Sequence, residues 1–92
     1  MEHLQEIDLS SNKLRQFPEH LAGCPQLTEL RLIHNNLEEI PLAFLKSANM
    51  RSNLRVFVLN DNPLIELPAE IGLLSNLQIL GIARTKIQKL PN

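Results

Sequence analysis

The sequence predicts a short right-handed α/β solenoid of four stacked repeats, with a parallel sheet on the concave side and turns or short helices outside. Three observations lead there. Neither a 3.6-residue nor a two-residue period fits the apolar positions along all 92 residues. Four segments do align with one another, beginning at Leu4, Leu27, Leu54 and Leu77, at offsets of 23, 27 and 23 residues. Within each segment apolar and polar residues alternate briefly, as in a half-buried strand too short to bury its own apolar face.

The first unit is LQEIDLSSNKLRQFP, the second LTELRLIHNNLEEIP, the third LRVFVLNDNPLIELP and the fourth LQILGIARTKIQKLP. Each reads L-x-x-Φ-x-Φ-x-x-N-x-Φ-x-x-Φ-P, where Φ is Leu, Ile or Phe, with Thr85 the one break at the Asn place. The alternating places centre the predicted strands on Ile7 to Leu9, Leu30 to Leu32, Phe57 to Leu59 and Leu80 to Ile82. The chain then turns at Asn12, Asn35 and Asn62, whose amides carry both donors and acceptors and can satisfy backbone groups within a unit and between neighbours. Pro18, Pro41, Pro68 and Pro91 lack an N–H and fix φ, so each ends the strand-and-turn half and opens the convex return.

On that return, Leu21 with Cys24 and Ile71 with Leu74 supply the outer wall of the core, and Cys24 stands in place of an inward leucine as a buried structural thiol. The extra four residues of the second unit lie in LAFLKSANMRSN, 42 to 53, where Leu42, Phe44, Leu45 and Met50 predict a longer convex helix of about two turns. Such an insertion is readily tolerated on a surface and need carry no function of its own; the alternative is a second contact site.

These four tandem units resemble the leucine-rich repeat family over nearly the whole chain. The Pro after the fourteenth place and the 23-residue length are similar to the intracellular, Ras-signalling-associated class of that family. The resemblance implies a non-enzymatic protein-interaction module that binds on its concave face, as a scaffold or regulator in a small GTPase or kinase pathway. The alternative it leaves open is the recognition or assembly domain of a larger signalling enzyme such as a kinase, GTPase or ubiquitin ligase.

Bulk composition excludes several classes. Nine basic residues against ten acidic ones lack the basic excess of a nucleic-acid or membrane-surface binder. With three Phe, no Trp and no Tyr there are no base-stacking platforms. One cysteine forms no intrachain disulfide, and MEHLQEIDLS has neither the basic nor the apolar part of a signal peptide, so the expected location is the cytoplasm or nucleus. A solenoid exposes its core at both ends unless it is capped. The 92 residues therefore read as one domain that belongs to a longer array or protein, or that self-associates through its ends.

Outward residues stack into columns across the sheet, about 4.8 Å apart. The third-place column is Glu6, Glu29, Val56, Ile79; the fifth is Asp8, Arg31, Val58, Gly81. The seventh is Ser10, Ile33, Asn60, Ala83, and the eighth is Ser11, His34, Asp61, Arg84. The first unit is acidic through Glu6 and Asp8. In the others Ile33, Val56, Val58, Ile79 and Ala83 predict an exposed apolar patch rimmed by Arg31, His34, Arg55 and Arg84, with Asn60 inside the rim. An apolar patch with a charged rim is what a protein–protein site looks like. The competing explanation is that β-branched residues simply suit strands.

The eighth column also sets Ser11, His34 and Asp61 side by side, which invites a catalytic-triad reading. No oxyanion loop, glycine elbow or water-excluding pocket accompanies them, so catalysis is the poorer explanation. His3, His20 and His34 fall in different parts of the repeat and predict no metal site. Gly23, Gly72 and Gly81 are too dispersed to form a phosphate loop, and no cofactor is expected.

Overall fold

A computed structural model of the chain describes residues 5–88. Four strands, β1 (Glu6–Asp8), β2 (Glu29–Arg31), β3 (Val56–Val58) and β4 (Ile79–Gly81), pair in parallel in the order β1-β2-β3-β4. Ile7, Leu30, Phe57 and Leu80 lie abreast in one row, as the repeat register predicts. The predicted α/β solenoid is the observed fold.

The strands begin one residue earlier than predicted and stop before the sixth-place leucine. Pairing starts early because the second and third places both donate to one carbonyl of the unit before. Thr28 and Glu29 N–H groups go to the Gln5 oxygen, Arg55 and Val56 to Thr28, and Gln78 and Ile79 to Arg55. Three places beyond the strand the chain turns left-handed, with φ of 60° at Ser11, 58° at His34, 62° at Asp61 and 55° at Arg84. Cross-unit bonding persists to that turn, through Leu32 N–H to Val58 O at 2.8 Å and His34 N–H to Asn60 O at 2.9 Å.

Proline opens the convex return in each unit where it is described: 3₁₀ turns span Glu19–Gly23 after Pro18 and Ala69–Leu73 after Pro68. Pro91 lies outside the described residues, as do His3 and Leu4. After Pro41 the longer return forms two helices, α1 (Leu42–Lys46) and α2 (Ala48–Asn53), where a single longer one was predicted. The break is at Ser47, whose extended ψ of 133° interrupts the helix while its hydroxyl donates to Ala22 O at 3.0 Å. The bond to the neighbouring unit takes precedence over helix continuity, as small hydroxyl residues readily allow.

Leu27, Leu30, Leu32, Phe44, Leu45, Met50, Leu54, Phe57, Leu59 and Leu64 are fully buried between the sheet and the return segments. Leu21, Cys24 and Leu74 are buried as the outer wall, and Ile71 packs partly buried against them. Phe17, Phe44 and Phe57 meet edge-on or tilted, with ring centroids 4.7, 5.7 and 6.1 Å apart, which ties the first unit to the second and third. Ile7 and Leu9 at one end, and Leu80, Ile82 and Ile87 at the other, are only partly buried, because each outer unit has a neighbour on one side alone.

Candidate functional site

The candidate face is built on an amide ladder beneath it. Asn35 is buried; its Nδ2 donates to Leu32 O at 3.0 Å and back across the unit boundary to Leu9 O at 3.2 Å. Its Oδ1 accepts from Asn12 N–H at 2.9 Å and Leu14 N–H at 3.0 Å, both in the first unit. Asn62 repeats the arrangement, donating to Leu32 O at 2.8 Å and Leu59 O at 3.0 Å and accepting from Leu37 N–H at 3.1 Å. These bonds fix the turn after each strand and therefore the direction of the outward residues before it.

Strand register places Glu6, Glu29, Val56 and Ile79 in one row and Asp8, Arg31, Val58 and Gly81 in the next, as predicted. Exposure along these rows is uneven. Ile79 is 55% exposed, Val58 and Ile33 are half-buried, and Val56 is only 7% exposed. Val56 therefore does not belong to an open apolar patch; it stands in the row between Glu29 and Ile79, on an inner strand with a neighbour on each side. The open apolar surface is centred on Ile79.

Gly81 gives Asn60 its position on this face. A Cβ at Gly81 would lie 2.8 Å from Asn60 Oδ1 and 2.8 Å from Val58 Cγ1, so the missing side chain leaves room for Asn60 to lean across. Asn60 Oδ1 accepts from Ala83 N–H at 2.9 Å, as Ser10 Oγ accepts from Ile33 N–H at 3.1 Å. Asn60 is thus half structural and half available.

Electrostatics divide the face into pairs. Arg31 is half-buried and bridges to Glu29 of its own strand at 3.3 Å. The carboxylate of Asp61 takes two bonds from the Arg84 guanidinium, through Nε and, at 3.0 Å, Nη2, and that partner holds Asp61 below the usual carboxylate range. The Ser10 hydroxyl and N–H hold Asp8 low in the same way. Glu6 moves upward, because the Glu29 carboxylate faces it on the next strand. His34 and Arg55 are exposed at the rim. Among the described residues no hydrogen bond joins Ser11 to His34 or His34 to Asp61, and the Asp61 carboxylate is turned to Arg84. Among the same residues no three His, Cys, Asp or Glu side chains gather as a metal site.

A second amide ladder on the convex side escaped the sequence reading. Asn53 Nδ2 donates to Pro25 O at 2.7 Å and Asn76 Nδ2 to Ser52 O, each reaching back one unit. The available signal was their common place, immediately before Leu54 and Leu77. Gln26 stands at that place before Leu27, which hides the pattern.

A leucine-rich repeat family model matches residues 1–37. The one-strand-per-unit sheet carries the same architecture through the two units that follow, and Asn62 extends the asparagine ladder into the third. The chain is a leucine-rich repeat protein. A solved leucine-rich repeat protein from Leptospira interrogans superposes with a TM-score of 0.74 at 27% identity, over 98% of this chain and 28% of that one. Two curated proteins are similar in sequence. The human volume-regulated anion channel subunit LRRC8E is 36% identical over 78 residues, 83% of this chain and 9% of its own length. Bovine osteomodulin is 38% identical over 89 residues, 92% of this chain and 20% of its own length. These leucine-rich repeats thus span a fifth or less of either curated relative.

Proposed function

We propose that the chain is a non-enzymatic interaction module that seats a protein partner on the concave face of its second to fourth repeats. The observation that carries this reading is Ile79, a large apolar side chain 55% exposed on a sheet, with half-buried Val58 in the next row and charged residues around them. Apolar surface inside a charged rim releases water on contact and is oriented by the rim charges. Arg31, Ile33, His34, Arg55, Val58, Asn60, Ile79 and Arg84 form the contact set, with Val56 supporting it from beneath. Leucine-rich repeat proteins in general bind other proteins, which favours the same reading.

We place the module in the cytoplasm or nucleus, as a scaffold or regulator in signalling of the Ras-associated kind; the 23-residue spacing and the prolines are what support this. The second reading is a recognition or assembly domain within a larger signalling enzyme such as a kinase, GTPase or ubiquitin ligase. Among the described residues no helix is long and apolar enough to cross a membrane.

The test is affinity capture from cell lysate with wild type and with Ile79→Asp, compared by quantitative mass spectrometry. Proteins retained by wild type and lost from Ile79→Asp, at unchanged melting temperature, are expected. Identical capture profiles would remove the concave face from consideration.

A further inference from the structure

We propose a second docking surface, on the flank of the second and third repeats, that takes a basic peptide segment with an apolar anchor residue. It is independent of the concave face. Three large apolar side chains stand exposed among the described residues, and two of them, Leu42 at 43% and Ile65 at 62%, are on this flank. Leu42 lines a groove of about 530 Å³ between Pro41 and Pro68, floored by Ile40 and Leu67 and bounded by the carboxylates of Glu39, Glu66 and Glu70. No cation lines it. Glu39 and Pro41 also line an adjoining hollow of about 840 Å³, where Ile65 and Glu38 continue the same surface and Arg15 and His20 lie on the first unit's side.

Charge complementarity names the occupant. The whole chain carries a formal charge of −1, yet this groove gathers three carboxylates over an apolar floor. A groove bounded by carboxylates over apolar residues attracts a partner's Lys or Arg. The prolines at both walls lack an N–H, so the groove has few backbone donors for an acidic ligand. A volume of this size is within the range that holds a few side chains. The fitting ligand is a short segment in which Lys or Arg alternate with Leu or a similar apolar residue, its cations on the glutamates, one apolar side chain against Leu42 and the next reaching the adjoining hollow at Ile65.

The experiment titrates the ¹⁵N-labelled protein with a ten-residue peptide of alternating Lys and Leu, and with its Glu-for-Lys counterpart. Amide shifts at Leu42, Ile65, Glu39, Glu66 and Glu70 are expected with the basic peptide and absent with the acidic one. Fluorescence anisotropy should show at least a tenfold loss of affinity in the Glu39→Lys/Glu66→Lys double variant, weakening with salt, and no loss in Ile79→Asp. Because the shift map is made on the wild-type protein, it stands even if the double variant folds poorly. Shifts confined to the concave residues, or equal binding of both peptides, overturn the proposal. So does the same shift pattern produced by raising protein concentration alone, which makes the occupant a second copy, or by calcium ion alone.

Discussion

Asn62 and Thr85 hold the same place in successive repeats, yet only Asn62 reaches back to its neighbour. The Asn62 carboxamide crosses to Leu32 O and holds Leu37 N–H, whereas the Thr85 hydroxyl donates to Ile82 O at 2.9 Å inside its own unit. The last junction therefore lacks the asparagine-ladder bridge of the two before it and is crossed instead by Asn60 with Ala83 and by the Asp61–Arg84 pair.

Restoring that bridge should stabilise the protein. Thr85→Asn gains cross-unit bonds and is expected to add about 1 kcal/mol, while Asn35→Ala strands several buried partners and should cost about 1–3 kcal/mol. Urea denaturation reads both; a lower midpoint in Thr85→Asn would show that the longer side chain does not reach the third unit.

Gly81 is required by the space that Asn60 occupies. Gly81→Val forces its new atoms into Asn60 Oδ1 and Val58 and should destabilise by about 1–3 kcal/mol. Asn60→Ala in the same background should return part of that loss, which a double-mutant cycle measures directly. Strict additivity of the two substitutions would separate Gly81 from Asn60.

The left-handed turn constrains His34 more than its exposure implies. With φ at 58°, a β-branched replacement is strained, and His34→Val should cost about 1–2 kcal/mol, whereas His34→Gly keeps the turn without a Cβ clash. Thermal melts of the two variants distinguish backbone strain from any loss of imidazole contacts. If the two melt alike, the turn is not the constraint.

Titration of the sheet face has two opposite signs. Glu6 is raised in the folded chain by Glu29, so the folded form binds more protons than the unfolded one just above the usual glutamate range, and stability falls as pH rises through that window. Glu6→Gln should therefore stabilise at neutral pH and have no effect well below about pH 4. Asp61 is lowered by Arg84, so its contribution is present above the usual aspartate range and is lost as pH falls through its folded value. Asp61→Asn should remove that contribution at neutral pH and make no difference in strong acid. Denaturation midpoints across pH, at low salt, compare the two variants.

Strand order, register, ladder asparagines and inward leucines were all legible, because each follows from one period repeated four times. The left-handed eighth place was not, since Ser11, His34, Asp61 and Arg84 reach it with no glycine among them to announce it. The exposure of Val56 was misread because burial on an inner strand depends on the neighbour at each side, which no single strand contains. Ser47 divides the long return through a hydroxyl bond to Ala22, a partner 25 residues away that helix propensity does not register. The flank groove went unnoticed for a similar reason: Leu42, Ile65 and the glutamates come together only when two units are stacked.

The three phenylalanines that lock the first three units together are the only aromatic residues the protein has. With no Trp or Tyr, the molecule is almost dark in the near ultraviolet. A partner carrying a single tryptophan would emit against that empty background, so the environment of its indole could be followed without any label on the solenoid. Because its core is closed with phenylalanine alone, without Trp or Tyr, the protein is a transparent host for optical measurements of a docked partner.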